Sequence, residues 1–321
     1  MAGTALEMTG LEKRYGKRRA LAGLDLRVGR GVLFGLVGSN GAGKTTTLSI
    51  AAGITKPNRG SVNVLGEGLF DAARSAGRLS LIPQGAALPP HAVVRDLLMF
   101  YARLQGLRGS DALGSVVEVL EWARLSDRAK SSVRSLSHGM QRRIAIAQAF
   151  LGDPELVLLD EPMSGLDPRE VVRTRNMLVE RKGRQTIVVS SHNLSEIERM
   201  CDEAAFIEEG RTVRQDSMES ITGRRHAITY LLESDAVPLE RLGELLPDAR
   251  FSPDPPGEAV AGCGCVLRCE YDSSRKTAAE VNAVVVGCLL ESGAGLVEVR
   301  RGCELESAYL EASDRPFPVP S

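Results

Sequence analysis

No stretch of about 18 consecutive apolar residues occurs in the 321-residue chain, which excludes a membrane-spanning helix. The opening residues Met1-Ala2-Gly3-Thr4-Ala5-Leu6-Glu7 lack the basic start and apolar run of a secretory leader, so a cytosolic chain is expected. Excess charge is missing as well. The 40 Lys and Arg residues nearly balance 41 Asp and Glu, and a net charge of −1 argues against a general nucleic-acid-binding surface. In a reducing compartment the six cysteines are expected as thiols, not as a disulfide framework. The run Cys263-x-Cys265-x-x-x-Cys269 has neither Cys-x-x-Cys pairs nor a nearby histidine. It reads as small apolar packing residues in a strand, not as a metal site.

What is present suits a globular protein of one large or two modest domains: 43% hydrophobic and 25% charged residues. The most informative stretch is Gly38-Ser39-Asn40-Gly41-Ala42-Gly43-Lys44-Thr45, which fits the pattern G-x-x-x-x-G-K-[ST]. The apolar run Val32 to Val37 precedes it and reads as a buried strand. A helix is expected to start at Thr45. Glycines let the backbone curl so that successive N–H groups point inward at a phosphate, and the helix N-terminus adds unpaired donors. Lys44 is expected on the β- and γ-phosphates, and the Thr45 hydroxyl on Mg²⁺.

Along the chain, short strands are expected at Leu6 to Leu11, Leu24 to Val28, Ser61 to Leu65 and Arg78 to Pro83. The texture turns helical from about 87 to 150, over Val94 to Gln105, Leu113 to Trp122 and Met140 to Leu151. Leu156-Val157-Leu158-Leu159 is a continuous apolar run ending in Asp160-Glu161, as in a fully buried parallel strand. A helix from Pro168 to Lys182, a strand from Thr186 to Ser190 and a helix from Asn193 to Met200 follow. Asn193 and Glu196 form a capping-box pattern. Ala204 to Glu208 and Thr212 to Gln215 read as a hairpin turning at Glu209-Gly210-Arg211. A boundary is expected near Thr222. Beyond it the order reads strand (Ala227 to Leu232), helix (Pro238 to Leu246), loop (Ser252 to Gly257), strand (Cys265 to Tyr271), helix (Lys276 to Glu291), strand (Leu296 to Arg300) and helix (Glu304 to Ala312). Ala278, Val281, Val285, Cys288 and Leu289 make an apolar stripe at helical spacing. The proline-rich tail from 313 to 321 is expected to be disordered.

Taken together, these residues resemble the ATP-binding-cassette proteins. Leu136-Ser137-His138-Gly139-Met140-Gln141 is similar to that family's signature loop, and Leu156 to Pro162 to its Walker B strand. Ser164-Gly165-Leu166-Asp167 resembles the D-loop, His192 the switch histidine, Gln84 the Q-loop glutamine, and Tyr15 the aromatic that stacks on adenine. The elements stand in the family's order over roughly residues 6 to 220. His138 replaces the usual glycine, while Ser137 and Gly139 remain.

The resemblance implies an α/β fold. Residues 1–222 would form a P-loop nucleotide-binding domain: a RecA-like core, an antiparallel β subdomain and a helical subdomain near 87–150. Residues 223–312 would form a small α+β accessory domain, as in exporter-type ATPases. It implies ATP bound by Tyr15, Gly38, Ser39, Asn40, Gly41, Ala42, Gly43, Lys44, Thr45 and Thr46, and by Ser137, His138 and Gly139 of a second cassette. Mg²⁺ would be held by Thr45, Gln84 and Asp160. Glu161, His192, Lys44 and Gln84 would serve catalysis. Read without the family, Asp160 and Glu161 are acids closing a strand, Gln84 and His192 loop residues, Tyr15 a turn residue, and Ser137 a helix cap. The implied activity is ATP hydrolysis coupled to a separate integral-membrane permease. The cassette would form a homodimer and lie on the inner face of the cell membrane, without nucleic acid. A soluble cassette ATPase and a non-hydrolysing ATP-binding module are the alternatives.

Overall fold

Alternating apolar and polar residues build the first layer. In the computed structural model, β1 (Thr4–Tyr15) and β2 (Arg18–Gly29) are antiparallel twelve-residue strands, longer than the expected Leu6 to Leu11 and Leu24 to Val28. The short reading follows from irregular register. The pairing shifts between Met8 and Leu11, around Gly10 with its left-handed backbone, and the simple alternation breaks there. The structure describes residues 3–71, 75–223, 227–235, 237–254, 264–272 and 275–302, with 305 and 309. Contacts divide the chain into two compact units, Met1–Asp216 and Ser217–Asp314.

In the first unit, continuous apolar runs form the central sheet. β3 (Leu33–Val37) precedes α1 (Lys44–Ala51). β4 (Arg59–Val64) then joins β1 in a three-stranded sheet of order β2-β1-β4. β5 (Leu79–Ile82), β6 (Leu156–Asp160), β7 (Thr186–Ser191), β8 (Glu203–Glu208) and β9 (Arg211–Ser217) complete a six-stranded sheet of order β5-β6-β7-β3-β8-β9. β3, β6 and β7 pair in parallel and are buried along their whole length, which is why they read as unbroken apolar runs. Glu209 and Gly210, both at positive φ, turn β8 into β9. Leu6, Leu24, Phe34, Leu48, Leu158 and Val188 belong to one core joining both sheets and α1.

Between β5 and β6 lie α2 (Val94–Leu104), α3 (Gly109–Trp122) and α4 (His138–Gln148), with no strand among them. α5 (Pro168–Val179) starts on Pro168 and is capped by Asp167, whose carboxylate accepts from the amides of Arg169 and Glu170. Trp122 joins the helical segment to α5. Its indole donates to the carbonyl of Met177 at 3.0 Å, its ring meets Phe150 at 4.5 Å, and the Arg181 guanidinium lies 4.7 Å above it. α6 (Leu194–Met200) carries half of the expected capping box. Asn193 accepts from the Glu196 amide, but the Glu196 carboxylate pairs with Arg175 instead of turning back.

The second unit opens with α7 (Met218–Ile221). β10 (Ala227–Leu232), α8 (Leu239–Leu245), β11 (Arg250–Asp254), β12 (Cys265–Glu270), α9 (Ala278–Ser292) and β13 (Leu296–Arg301) follow in β-α-β-β-α-β order. All its strand pairs are antiparallel, in the order β11-β12-β10-β13. β11 occupies part of what the sequence suggested was a loop. Pro253 is tolerated there because β11 is an edge strand. The stripe Val281, Val285, Cys288 and Leu289 packs on Tyr230, Leu267 and Cys269. Cys265, Cys269 and Cys288 are buried and in no disulfide, and burial pushes the Cys269 thiol up to about 12. Among the described residues no group of three His, Cys, Asp or Glu side chains is placed to hold a metal. Cys263, most of the helix expected at 304–312 and the tail 313–321 lie outside the described residues.

Candidate active site

β3 delivers the chain to its C-terminal end, and the glycine-rich loop turns it into α1. Gly43 makes the turn at φ 115°, a conformation that L side chains resist. A Cβ there would come within 2.8 Å of the Leu21 side chain and 2.9 Å of the Ala20 carbonyl. As a glycine cap it supplies no side-chain acceptor, and the first turn of α1 holds no acid. The leading N–H groups of α1 are therefore left for an external anion. Lys44 is buried and folds back over the loop. Its ammonium donates to the carbonyls of Gly38 at 2.6 Å and Ser39 at 3.3 Å.

Two acids at the end of β6 face this loop. Asp160, 1% exposed, accepts from the Thr45 hydroxyl at 2.7 Å and from the Ser190 hydroxyl on β7. Glu161 sits at φ 48°, a strained conformation for a non-glycine residue. Its backbone is held on both sides: its amide donates to Ser190 Oγ at 2.9 Å, and its carbonyl accepts from Arg142 at 2.7 Å. Arg142 also donates to the Pro162 carbonyl at 2.7 Å. Burial pushes the pKa of this guanidinium down, and the charge on Asp160 opposes the shift. The Glu161 carboxylate reaches both ways. One oxygen is 3.0 Å from His192 Nδ1. The other stands 3.3 Å from the Lys44 ammonium as an ion pair, buried but without a hydrogen bond. A buried carboxylate oxygen left this way is costly unless a further donor or cation completes it.

A cavity of about 540 Å³ lies over the loop. Tyr15, Ser39, Asn40, Gly41, Gly43, Lys44, Thr45, Thr46, Gln84 and Glu161 line it. Gly38 and Ala42 belong to the loop but not to the lining, and Asp160 meets the lining through the Thr45 hydroxyl. Tyr15 is half exposed with the Lys13 ammonium over its ring, and His192 is about half exposed. Ser137 and Gly139 do not line this cavity. Ser137 caps α4, accepting from the Met140 amide at 3.3 Å. Gly139 packs so closely on Glu170 that a Cβ would overlap the carboxylate, which is held between Arg143 and Arg173. His138 lines a neighbouring concavity of about 390 Å³ with Gln84, Gln141, Arg142, Glu161 and Ser164. Gln84 and Glu161 border both spaces.

Sequence reasoning missed Arg142, Ser190 and Arg18. Arg142 and Ser190 hold the two acids from other elements, and Arg18 lines the larger cavity. The one available signal was a cation in the first turns of α4, directly behind the signature-like residues. The arrangement can hold a polyphosphate on backbone amides, offer it the Lys44 charge and set a carboxylate beside it as a proton acceptor. Thr45, Asp160 and Gln84 are hard oxygen donors. With only one carboxylate among them, they suit Mg²⁺ that takes further ligands from a bound phosphate.

Residues 21–164 match the family described as ABC transporter. The Nod factor export ATP-binding protein I of Ralstonia nicotianae is 35% identical over 316 residues, covering 97% of this chain and 94% of that protein. Its namesake from Burkholderia pseudomallei is 34% identical over 98% of this chain and 99% of that one. Among solved structures, an ATP-binding subunit of an ABC transporter aligns at TM-score 0.60 and 28% identity, over 68% of this chain and 92% of that chain. The cbiO1 subunit from Clostridium perfringens, part of the ABC transporter complex cbiONQ, aligns at TM-score 0.62 and 25% identity over 68% and 91%.

Proposed function

The chain belongs to the ATP-binding-cassette transporter family as an ATP-binding, ATP-hydrolysing subunit, and we propose that it drives an exporter through a separate integral-membrane permease. The relatives named as export ATP-binding proteins support the direction. No helix among the described residues is long and apolar enough to cross a membrane, which supports a separate permease. The chain would then sit peripherally on the cytoplasmic face. We assign residues 1–222 to nucleotide binding, with the helical segment near 87–150 facing the permease, and residues 223–312 to an accessory role in dimerisation or regulation.

The observation that carries the chemistry is the Glu161 carboxylate between Lys44 and His192, with one buried oxygen unsatisfied. Glu161 takes the proton of the water that attacks the γ-phosphorus. The bond from that phosphorus to the leaving ADP oxygen breaks, and inorganic phosphate departs. Lys44 holds the β- and γ-phosphates, Tyr15 stacks on the adenine, and the amides of Gly41, Gly43, Lys44, Thr45 and Thr46 carry the remaining oxygens. His192 orients Glu161 and registers loss of the γ-phosphate. Thr45, Asp160 and Gln84 would hold Mg²⁺, which when bound neutralises phosphate charge.

Ser137, His138 and Gly139 stand apart from the phosphate loop of their own chain, which supports a composite site closed by a second cassette. ATP binding would favour the closed homodimer and hydrolysis the open one, and the permease would follow that population shift. The test is light scattering of the purified Glu161→Gln chain on size exclusion, with and without Mg-ATP. A monomer that becomes a dimer only with ATP is expected. A monomer under both conditions would contradict the homodimeric site.

A further inference from the structure

We propose that Arg18 is a further nucleotide-binding residue, its guanidinium contacting the polyphosphate of the bound nucleotide. The inference rests on the reading of the 540 Å³ cavity as the ATP site. Tyr15 and Arg18 pair across the hairpin between β1 and β2, and both line the cavity. Arg18 comes close to the loop itself: a Cβ on Gly41 would stand 3.2 Å from its terminal nitrogen.

Three nearby cations already have partners. Lys13 lies over the Tyr15 ring and donates to the Lys56 carbonyl at 2.7 Å. Arg19, the next residue on β2, points to Glu12 at 3.5 Å. Lys44 faces Glu161 at 3.3 Å and donates to the Gly38 and Ser39 carbonyls. Among the described residues no carboxylate pairs with Arg18. It is thus a cation in the lining whose charge no acid offsets, and the incoming ligand carries several negative charges. A guanidinium presents a planar fork of N–H donors that fits two phosphate oxygens, which an ammonium does not. Arg18 and Lys44 both line the cavity, so one polyphosphate can meet both cations.

Isothermal titration of the full-length chain with ATP, ADP and AMP tests this, using the wild type, Arg18→Ala, Arg18→Lys and Lys44→Ala. Arg18→Ala is expected to weaken ATP and ADP by about tenfold, as befits one charge-assisted contact at a partly exposed site, and AMP by clearly less. Arg18→Lys is expected to recover part of the loss, and the wild-type advantage to shrink with added salt. ATP bound by Arg18→Ala as tightly as by wild type would overturn the proposal. So would equal losses for ATP and AMP, which would put Arg18 on the nucleoside. Lys44→Ala binding all three nucleotides like wild type would instead overturn the reading of the cavity itself.

Discussion

The interior around the phosphate loop and the interior of the β-α-β-β-α-β unit use burial in opposite ways. Lys44, Arg142, Asp160 and Glu161 are each at most 9% exposed, and each is held by partners from other elements. Glu161 adds a strained backbone and an unsatisfied oxygen. The second unit buries Leu267, Cys269, Val285 and Leu289 with Tyr230, whose hydroxyl has no hydrogen-bond partner, and among the described residues it buries no charged side chain. Buried charge costs stability unless paired, and these four groups gather around one loop, which marks it as a candidate for chemistry. The difference supports the proposed assignment of catalysis to the first unit and of an accessory role to the second.

Four substitutions can break or sharpen that contrast. Arg142→Met leaves the buried carbonyls of Glu161 and Pro162 without their donors. At about 1–3 kcal/mol for each orphaned acceptor, a loss of about 4 kcal/mol is expected in denaturant unfolding, with ATP hydrolysis lost in parallel. Leu267→Ala, in the apolar core, should cost about 3 kcal/mol in the unfolding of the second unit and leave ATP hydrolysis at the wild-type rate. A falling rate in the folded variant would show that the second unit does more than pack. Gly139→Ala drives a methyl into Glu170 and should cost about 2 kcal/mol of melting stability, with weaker ATP-dependent dimerisation.

The smallest effect belongs to a surface cluster. Hydrogen bonds from Arg78, then Arg30, at 2.6 Å each, hold the Glu155 carboxyl below the usual carboxylate range. A depressed folded-state pKa gives stability that is present above the ordinary value near 4 and lost as pH falls through the depressed one. The group is partly exposed, so screening limits the contribution to about 0.5 kcal/mol. Chemical denaturation should show wild type ahead of Glu155→Gln at pH 7 and level with it near pH 2.

The parts of the site that were legible in the sequence are contiguous. Gly38 to Thr45 encodes loop and helix start in one run, and Leu156 to Glu161 encodes a buried strand with its acids. What stayed hidden depends on contacts across the chain. Arg142 finds the carbonyls of Glu161 and Pro162, Ser190 finds Asp160, and Arg18 reaches Gly41, none of which a local pattern records. β11 was hidden for another reason: a proline within it reads as loop until its place at the sheet edge is known. The full lengths of β1 and β2 were obscured by register shifts that break the two-residue period.

The central claim is that Glu161 performs the proton transfer while the surrounding charges bind ATP. The direct test measures both quantities on one variant: the ATP dissociation constant and the hydrolysis rate of purified Glu161→Gln. Glu161→Gln is expected to bind ATP within a few-fold of wild type and to hydrolyse it at a rate reduced by about 10²–10⁴. Hydrolysis by Glu161→Gln at the wild-type rate would contradict that claim.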